Sequence, residues 1–104
     1  MKPIRYLDAA RREYENQIQF LIQNRSVAHA LRSRGEMEKA EAEIQRKPDA
    51  FKLIGTYRSY GPTRKGKYRI SYIETPAEIV IVAVYYSGVT DPLYWLGRRV
   101  PEGS

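Results

Sequence analysis

The sequence predicts an α+β fold in which an N-terminal two-helix hairpin packs on one face of a 3–4-stranded antiparallel sheet. Apolar residues recur every three to four positions before Pro48 and every second position after it, and the later segments are joined by short connections. A chain of 104 residues has the length of one domain. We therefore expect a single domain over 1–104, with the hairpin at about 5–47, the sheet at about 52–87 and a C-terminal tail at 88–104.

The first helix is predicted from a single apolar face. Its members follow steps of three and four residues along the chain, and they are Leu7, Ala10, Tyr14, Ile18, Leu21 and Ile22. Asp8 suits either the N-cap or the first turn, where a carboxylate is favourable.

The second helix has both a start and a stop signal. Ser26 is a good N-cap, and Pro48 ends the helix because the residue before a proline is pushed out of the α region. Gly35 falls off the apolar face, so the helix either exposes it to solvent or breaks there. The apolar face itself consists of Ala30, Met37, Ala40 and Ile44.

The second half of the chain predicts three strands. The segments 53–58 and 67–74 alternate apolar and polar residues, with a loop rich in glycine and basic residues at 60–66 between them. After a turn at 75–77, the run 78–86 is almost continuously apolar and β-branched, which predicts a central strand buried on both faces.

A helical hairpin covers only one face of such a sheet. The other face needs either the C-terminal tail, with Tyr94, Trp95 and Leu96, or a partner chain. The tail suits a helical turn or a fourth strand equally well.

Composition excludes several classes of function. The chain has no cysteine and one histidine, so it offers neither a disulfide framework, nor a catalytic thiol, nor a site with several cysteine or histidine metal ligands. We expect no cofactor. The N-terminus has no apolar signal region and no run is long enough to span a bilayer, so we expect a cytoplasmic protein.

The net charge of +6 is concentrated in one stretch. The segment 52–69 contains no acid, and its six basic residues are Lys52, Arg58, Arg64, Lys65, Lys67 and Arg69. Such a stretch suits a polyanion or an acidic protein, and it equally suits a merely solvated face. Seven of the nine tyrosines lie in the same half of the chain, so we interpret the charge as one functional face.

Several motifs occur in a family-specific order. An amphipathic opening helix at 10–21 is followed by a helix that ends at a proline at 44–48 and by the strand GKYRISY at 66–72. A β-branched strand at 79–84 and the tail DPLYW at 91–95 complete the series. In this order and spacing the chain resembles the RelE/ParE superfamily of bacterial toxins from type II toxin–antitoxin systems.

The resemblance implies one of two activities. RelE-like members are ribosome-dependent endoribonucleases that cut mRNA, whereas ParE-like members inhibit DNA gyrase. It also implies that a cognate antitoxin wraps an otherwise exposed surface of the toxin.

Metal-free RNA cleavage needs a base, an acid and cations at the phosphate. If the chain is a nuclease, Tyr86 and Tyr94 are the acid–base candidates, and the cations are Arg58, Arg64, Lys65, Lys67 and Arg69. Many family members carry a histidine and arginines after the last core strand, where this chain has only Ser87 to Thr90. That departure and the long helical hairpin favour the ParE-like branch, for which we assign no catalytic residue.

The ParE-like interpretation assigns two sets of contact residues. The candidates for target binding are Arg64, Lys65, Lys67, Arg69 and Arg98. The candidates for antitoxin binding are Val80, Val82, Tyr86, Tyr94 and Trp95. A third hypothesis is a non-toxic basic module that binds single-stranded nucleic acid through its basic stretch and the interleaved Tyr57, Tyr60 and Tyr68.

Overall fold

A computed structural model of the chain describes residues 1–63, 68–86 and 93–100. Within these residues two helices pack against a five-stranded sheet, which confirms the α+β fold with a helical hairpin. The elements in chain order are β1 (Ile4–Tyr6), α1 (Asp8–Asn24), α2 (Val27–Arg46), β2 (Lys52–Ile54), β3 (Tyr57–Tyr60), β4 (Tyr68–Glu74) and β5 (Ile79–Tyr86).

The sheet has the strand order β1-β5-β4-β3-β2. The four later strands pair antiparallel with one another, as predicted. The N-terminal strand β1 was not predicted. It pairs parallel with β5, from Ile4 opposite Ile79 to Tyr6 opposite Ile81. The three residues of β1 are too few to show a period of two in the sequence, so the pattern did not predict it. They form a strand because the edge of β5 offers them backbone hydrogen-bond partners.

The hairpin follows the apolar faces with one exception. Ser26 caps α2 by accepting the backbone N–H of His29 at 3.1 Å, and the helix runs unbroken past Gly35, which is exposed. The predicted face of α2 is buried, together with Ser33. On α1 the predicted face is at least half-buried except for Ile22, whose exposure of 41% makes that part of the prediction wrong.

The sheet separates two apolar clusters. On the hairpin face Tyr68, Ile70 and Tyr72 pack with residues of both helices. On the opposite face, which we call the tail face, Trp95 packs against a cluster formed by Val82, Ala83 and Tyr85. The central strand β5 is therefore buried on both sides, and within the described residues a turn at 93–97 supplies the cover of the tail face.

The predicted single strand at 53–58 is two strands. Lys52–Ile54 and Tyr57–Tyr60 form a tight antiparallel hairpin in which Ile54 pairs with Tyr57. Gly55 lies in its turn at φ +64°, a backbone conformation that glycine adopts without strain.

A second glycine fixes the end of β3. Gly61 has φ +111°, and a Cβ atom there would lie 2.4 Å from the carbonyl oxygen of Tyr68. The same oxygen accepts the N–H of Thr63 at 2.9 Å, so the chain closes tightly before the basic loop. Residues 64–67 of that loop lie outside the described part.

Candidate functional site

The structure places two basic residues of the predicted face, Arg58 and Arg69, on opposite sides of the sheet. Arg58 lies opposite Tyr72 on the hairpin face, where its guanidinium donates to the carbonyl oxygen of Phe51 at 2.9 Å. Arg69 lies opposite Tyr85 on the tail face. The interpretation of 52–69 as one face is therefore wrong for these two arginines, because directly paired residues of a sheet share a side. Arg64, Lys65 and Lys67 lie outside the described residues.

Arg98 is engaged within the chain. Its two terminal nitrogens each lie 2.9 Å from an oxygen of Glu13, and Nη1 also donates to the carbonyl oxygen of Val82 at 2.7 Å. The Cζ atom of the guanidinium lies over the ring of Tyr94, 5.1 Å from the ring centroid, and the hydroxyl of Tyr94 donates to Glu13. The hydrogen bonds that Arg98 donates to Glu13 raise the pKa of Arg98 above its ordinary value, so this cation is held as an internal partner of α1.

The two acid–base candidates are both held in their protonated form. Burial is the main cause that raises the pKa of Tyr86 and of Tyr94. Hydrogen bonding to Tyr68 raises the pKa of Tyr86 further, and hydrogen bonding to Glu13 has the same effect on Tyr94. A phenol with a raised pKa is a poorer base at neutral pH than an ordinary tyrosine, so this geometry does not prepare either residue to accept a proton.

The single histidine lies far along the chain from both tyrosines, at the start of α2. Its Nδ1 is 2.8 Å from the hydroxyl oxygen of Ser26, the cap of that helix. Within residues 1–63, 68–86 and 93–100, no group of three histidine, aspartate or glutamate side chains could hold a metal ion. None of the helices in the described ranges is long and apolar enough to cross a membrane.

The residues predicted for partner binding divide into interior and surface positions. Val80, Val82 and Trp95 are fully buried within the chain, so in this conformation they offer no surface to a partner. Tyr86 is partly exposed at the end of β5, and Tyr94 is 40% exposed. We therefore retain only the two tyrosines as surface positions.

Sequence reasoning missed a groove beside α2, which we call the hairpin groove. Three adjoining cavities of about 390, 430 and 660 Å³ form it between the end of α1, one side of α2 and the ends of β3 and β5. A signal was present in the sequence, since Arg25, His29, Arg32 and Glu36 follow steps of four, three and four residues. That spacing also fits an ordinary solvated helix face. The face becomes one wall of a groove only because Tyr86, at the end of β5, lies beside it.

No protein-family model and no curated protein matches the sequence. Among solved structures, the chain is similar to a chain of the chromosomal ParDE TA system from P. aeruginosa, with a TM-score of 0.70 and 10% sequence identity. The similarity covers 83% of this chain and 96% of that one. This chain shares the fold of that chain. The fold that the resemblance to the RelE/ParE superfamily implies is thus confirmed.

Proposed function

We propose that this chain is the toxin of a bacterial type II toxin–antitoxin module and that it is ParE-like, arresting growth by inhibiting DNA gyrase. The observation that carries the proposal is the shared fold, which extends over 96% of the similar chain of the ParDE TA system. The order of motifs in the sequence independently supports the same superfamily.

The chemistry of the described residues favours the gyrase inhibitor over the RelE-like endoribonuclease. Cleavage through a 2′-hydroxyl needs a base that is ready at neutral pH, together with cations beside the phosphate. Burial raises the pKa of Tyr86 and of Tyr94, and Arg98 is paired with Glu13. A toxin that acts by binding needs none of these groups to react.

The proposed contact with the target uses Arg69 and the adjoining basic loop with Arg64, Lys65 and Lys67. Arg69 lies partly exposed on the tail face, and it makes no ion pair with another residue in the described part of the chain. Glycines lie at 61 and 66 in this segment, and its three cations suit an acidic surface. The proposed second partner is a cognate antitoxin that silences the toxin.

A supercoiling assay with purified protein tests the proposal. Gyrase is incubated with relaxed plasmid and increasing amounts of the chain, and we expect supercoiling to decrease with dose. Arg69→Ala should weaken the inhibition, whereas Arg12→Ala, on the exposed side of α1, should leave it unchanged.

Two results would contradict this proposal. Unimpaired gyrase at a large molar excess of the chain would exclude the ParE-like activity. New mRNA 5′ ends on translating ribosomes, lost with Arg69→Ala or Tyr94→Ala, would establish the RelE-like alternative instead.

A further inference from the structure

The two smaller cavities of the hairpin groove adjoin each other and differ in chemistry. One, of about 390 Å³, has Phe20 and Tyr86 in its wall, and we call it the aromatic compartment. The other, of about 430 Å³, is lined by Arg25, His29 and Arg32, and we call it the cationic compartment. Arg25 and Tyr86 line both compartments, so a single small molecule can occupy the two together. Each volume is within the range of about 300–1,000 Å³ that is typical of small-molecule sites.

The aromatic compartment suits a flat ring with a polar edge. Phe20 is 52% exposed beside it. The ring of Tyr86 is held by Tyr68, with their centroids 5.0 Å apart, and buried Tyr68 is bonded in turn to Ser33 of α2. Gln17 hydrogen-bonds to Tyr86 and adds an amide group to this wall. Aromatic side chains stack on nucleobases, and an amide offers both a donor and an acceptor to the edge of a base.

The cationic compartment collects three hydrogen-bond donors. Arg25 and Arg32 make no ion pair with any of the described residues, and a guanidinium fork matches the oxygens of a phosphate. The hydroxyl oxygen of Ser26 accepts the backbone N–H of His29 at 3.1 Å and lies 2.8 Å from Nδ1 of the same residue. Because that oxygen already accepts one hydrogen bond, its own hydrogen is directed to Nδ1, and the ring proton of His29 lies on Nε2. This nitrogen is then a donor for an anion.

Two carboxylates limit the size of the anion. Glu36 lines the far side of the cationic compartment, and Glu36 and Glu43 both line the third cavity of the groove. They repel phosphates beyond Arg32, so the field favourable to anions covers only the start of α2. A short chain of two or three phosphates fits that stretch, whereas a nucleic-acid strand that continued along α2 would meet these acids.

We propose that the two compartments together bind a nucleoside di- or triphosphate. The base lies in the aromatic compartment against Phe20 and Tyr86, and the phosphates accept hydrogen bonds from Arg25, His29 and Arg32. Stacking holds the base and charge-assisted hydrogen bonds hold the phosphates, so neither part of the ligand binds well without the other. This small-molecule site does not include the proposed gyrase contact at Arg69, and it does not depend on whether the chain inhibits gyrase.

The first experiment divides the ligand into its parts. ADP, GDP, ATP, adenosine and inorganic phosphate are each titrated calorimetrically into the purified chain at low salt. The nucleotides should bind at least about tenfold more tightly than adenosine or inorganic phosphate, because only they occupy both compartments. The absence of nucleotide binding at about 1 mM would overturn the inference. Inorganic phosphate that bound as tightly as ADP would also overturn it, since the base would then contribute nothing.

The second experiment removes the cations. Arg25→Gln with Arg32→Gln should weaken ADP binding by about tenfold or more and leave the weak binding of adenosine unchanged. The matched control, Arg11→Gln with Arg12→Gln, makes the same change in net charge on the exposed side of α1, away from the lining of both compartments. It should change the affinity for ADP by less than twofold.

The third experiment tests the aromatic compartment. Phe20→Ser should weaken the binding of ADP by about tenfold, because it removes a stacking partner of the base, and should leave inorganic phosphate unaffected. Ile22→Ser removes a similarly exposed apolar side chain two residues further along α1 and outside the lining of the compartment, and it should bind ADP normally. Circular dichroism of all four variants verifies that each is folded before it is titrated.

The remaining outcomes separate this site from other uses of the same cations. ADP that bound the compartment variants as tightly as the control variants would lie elsewhere on the chain, and the inference would be wrong. The inference would also be wrong if a fluorescein-labelled RNA of about 20 nucleotides lost affinity with Arg25→Gln and Arg32→Gln while ADP did not, because the groove would then be a nucleic-acid site. A chain that bound ADP as expected and left gyrase unimpaired would contradict the proposed function alone.

Discussion

Glu13 and Arg98 form a bidentate ion pair that joins α1 to the C-terminal tail across the edge of β5. Each terminal nitrogen of Arg98 lies 2.9 Å from a different oxygen of Glu13. The same two side chains also bind the backbone of β5, since Arg98 donates to the carbonyl oxygen of Val82 at 2.7 Å and Glu13 accepts the N–H of Val84 at 3.1 Å. Because β1 pairs with β5 only as far as Ile81, these side chains satisfy the strand where β1 has ended.

The ion pair should hold the tail against the sheet. Arg98→Ala leaves the half-buried carboxylate of Glu13 and the carbonyl of Val82 without this partner, so we expect the free energy of unfolding to fall by about 1–2 kcal/mol. Emission from buried Trp95 should shift to longer wavelength if the tail loosens. Urea denaturation followed by fluorescence measures both effects. Arg99→Ala removes the neighbouring exposed arginine and should change stability by less than about 0.5 kcal/mol. Equal midpoints for the two variants would contradict the prediction.

A second ion pair makes a pH-dependent contribution to the free energy of unfolding. Arg5 binds both oxygens of Glu78, at 3.0 and 2.9 Å, and this contact lowers the pKa of Glu78 below its ordinary value. The resulting stability is present above the pKa of the unfolded chain, about 4.3, and is lost as pH falls through the lower folded value. Unfolding free energies of wild type and Glu78→Gln should therefore differ by a constant amount from pH 5 to 7 and converge below about pH 4.

The comparison with Glu78→Gln also controls for a second carboxylate, Glu41, whose contribution to stability depends on pH in the opposite direction. Burial raises the pKa of Glu41, so this residue favours the folded state increasingly as pH falls through its folded value. Both proteins contain Glu41, and its contribution cancels in the difference. A difference in unfolding free energy that stays the same from pH 7 to pH 3 would show that the Arg5–Glu78 contact does not contribute.

The parts of the fold that the sequence predicted are those with long, uninterrupted patterns. The α2 helix repeats its apolar step over about four turns, and β5 is apolar at nearly every position, so the burial of each follows from periodicity alone. The strand β1 could not be predicted in this way, because its three residues form a strand only when β5, more than seventy residues away, is beside them. Local pattern does not contain that pairing.

The site was harder to predict because it depends on which way each side chain points. The pairing register of β3, β4 and β5 decides on which face of the sheet Arg58 and Arg69 each lie. A shift of one residue in that register moves a side chain to the other face. The pairing between Glu13 and Arg98 joins positions 85 residues apart and leaves no local signal. The cations of the hairpin groove were visible as a helical stripe, but their function depends on what packs beside them.

Six of the nine tyrosines should ionise only at strongly alkaline pH in the folded chain. Burial is the main cause that raises the pKa to about 12 for Tyr14, Tyr60 and Tyr72, and it also raises the pKa of Tyr6, Tyr86 and Tyr94. Absorbance at 295 nm should therefore show that these six tyrosines remain largely protonated in the folded chain at pH 11. In guanidinium all nine should titrate near pH 10. The folded state should lose stability as pH rises above 10, because these phenols ionise more readily in the unfolded chain. Coincident titration curves in buffer and in guanidinium would refute the prediction.

Two glycines should respond to the same substitution with opposite sign. Gly35 lies in the exposed middle of α2, where a Cβ atom would meet nothing within 4 Å. Gly35→Ala should therefore raise the free energy of unfolding by about 0.5–1 kcal/mol, since alanine restricts the unfolded chain and favours the helix. Gly61→Ala should lower it by more than about 1 kcal/mol, because the new Cβ would lie 2.4 Å from the carbonyl oxygen of Tyr68 at a positive φ. Urea midpoints of the two variants against wild type measure both effects. A destabilised Gly35→Ala would mean that α2 bends at that position in solution, and an unaffected Gly61→Ala would mean that the close approach to Tyr68 does not persist.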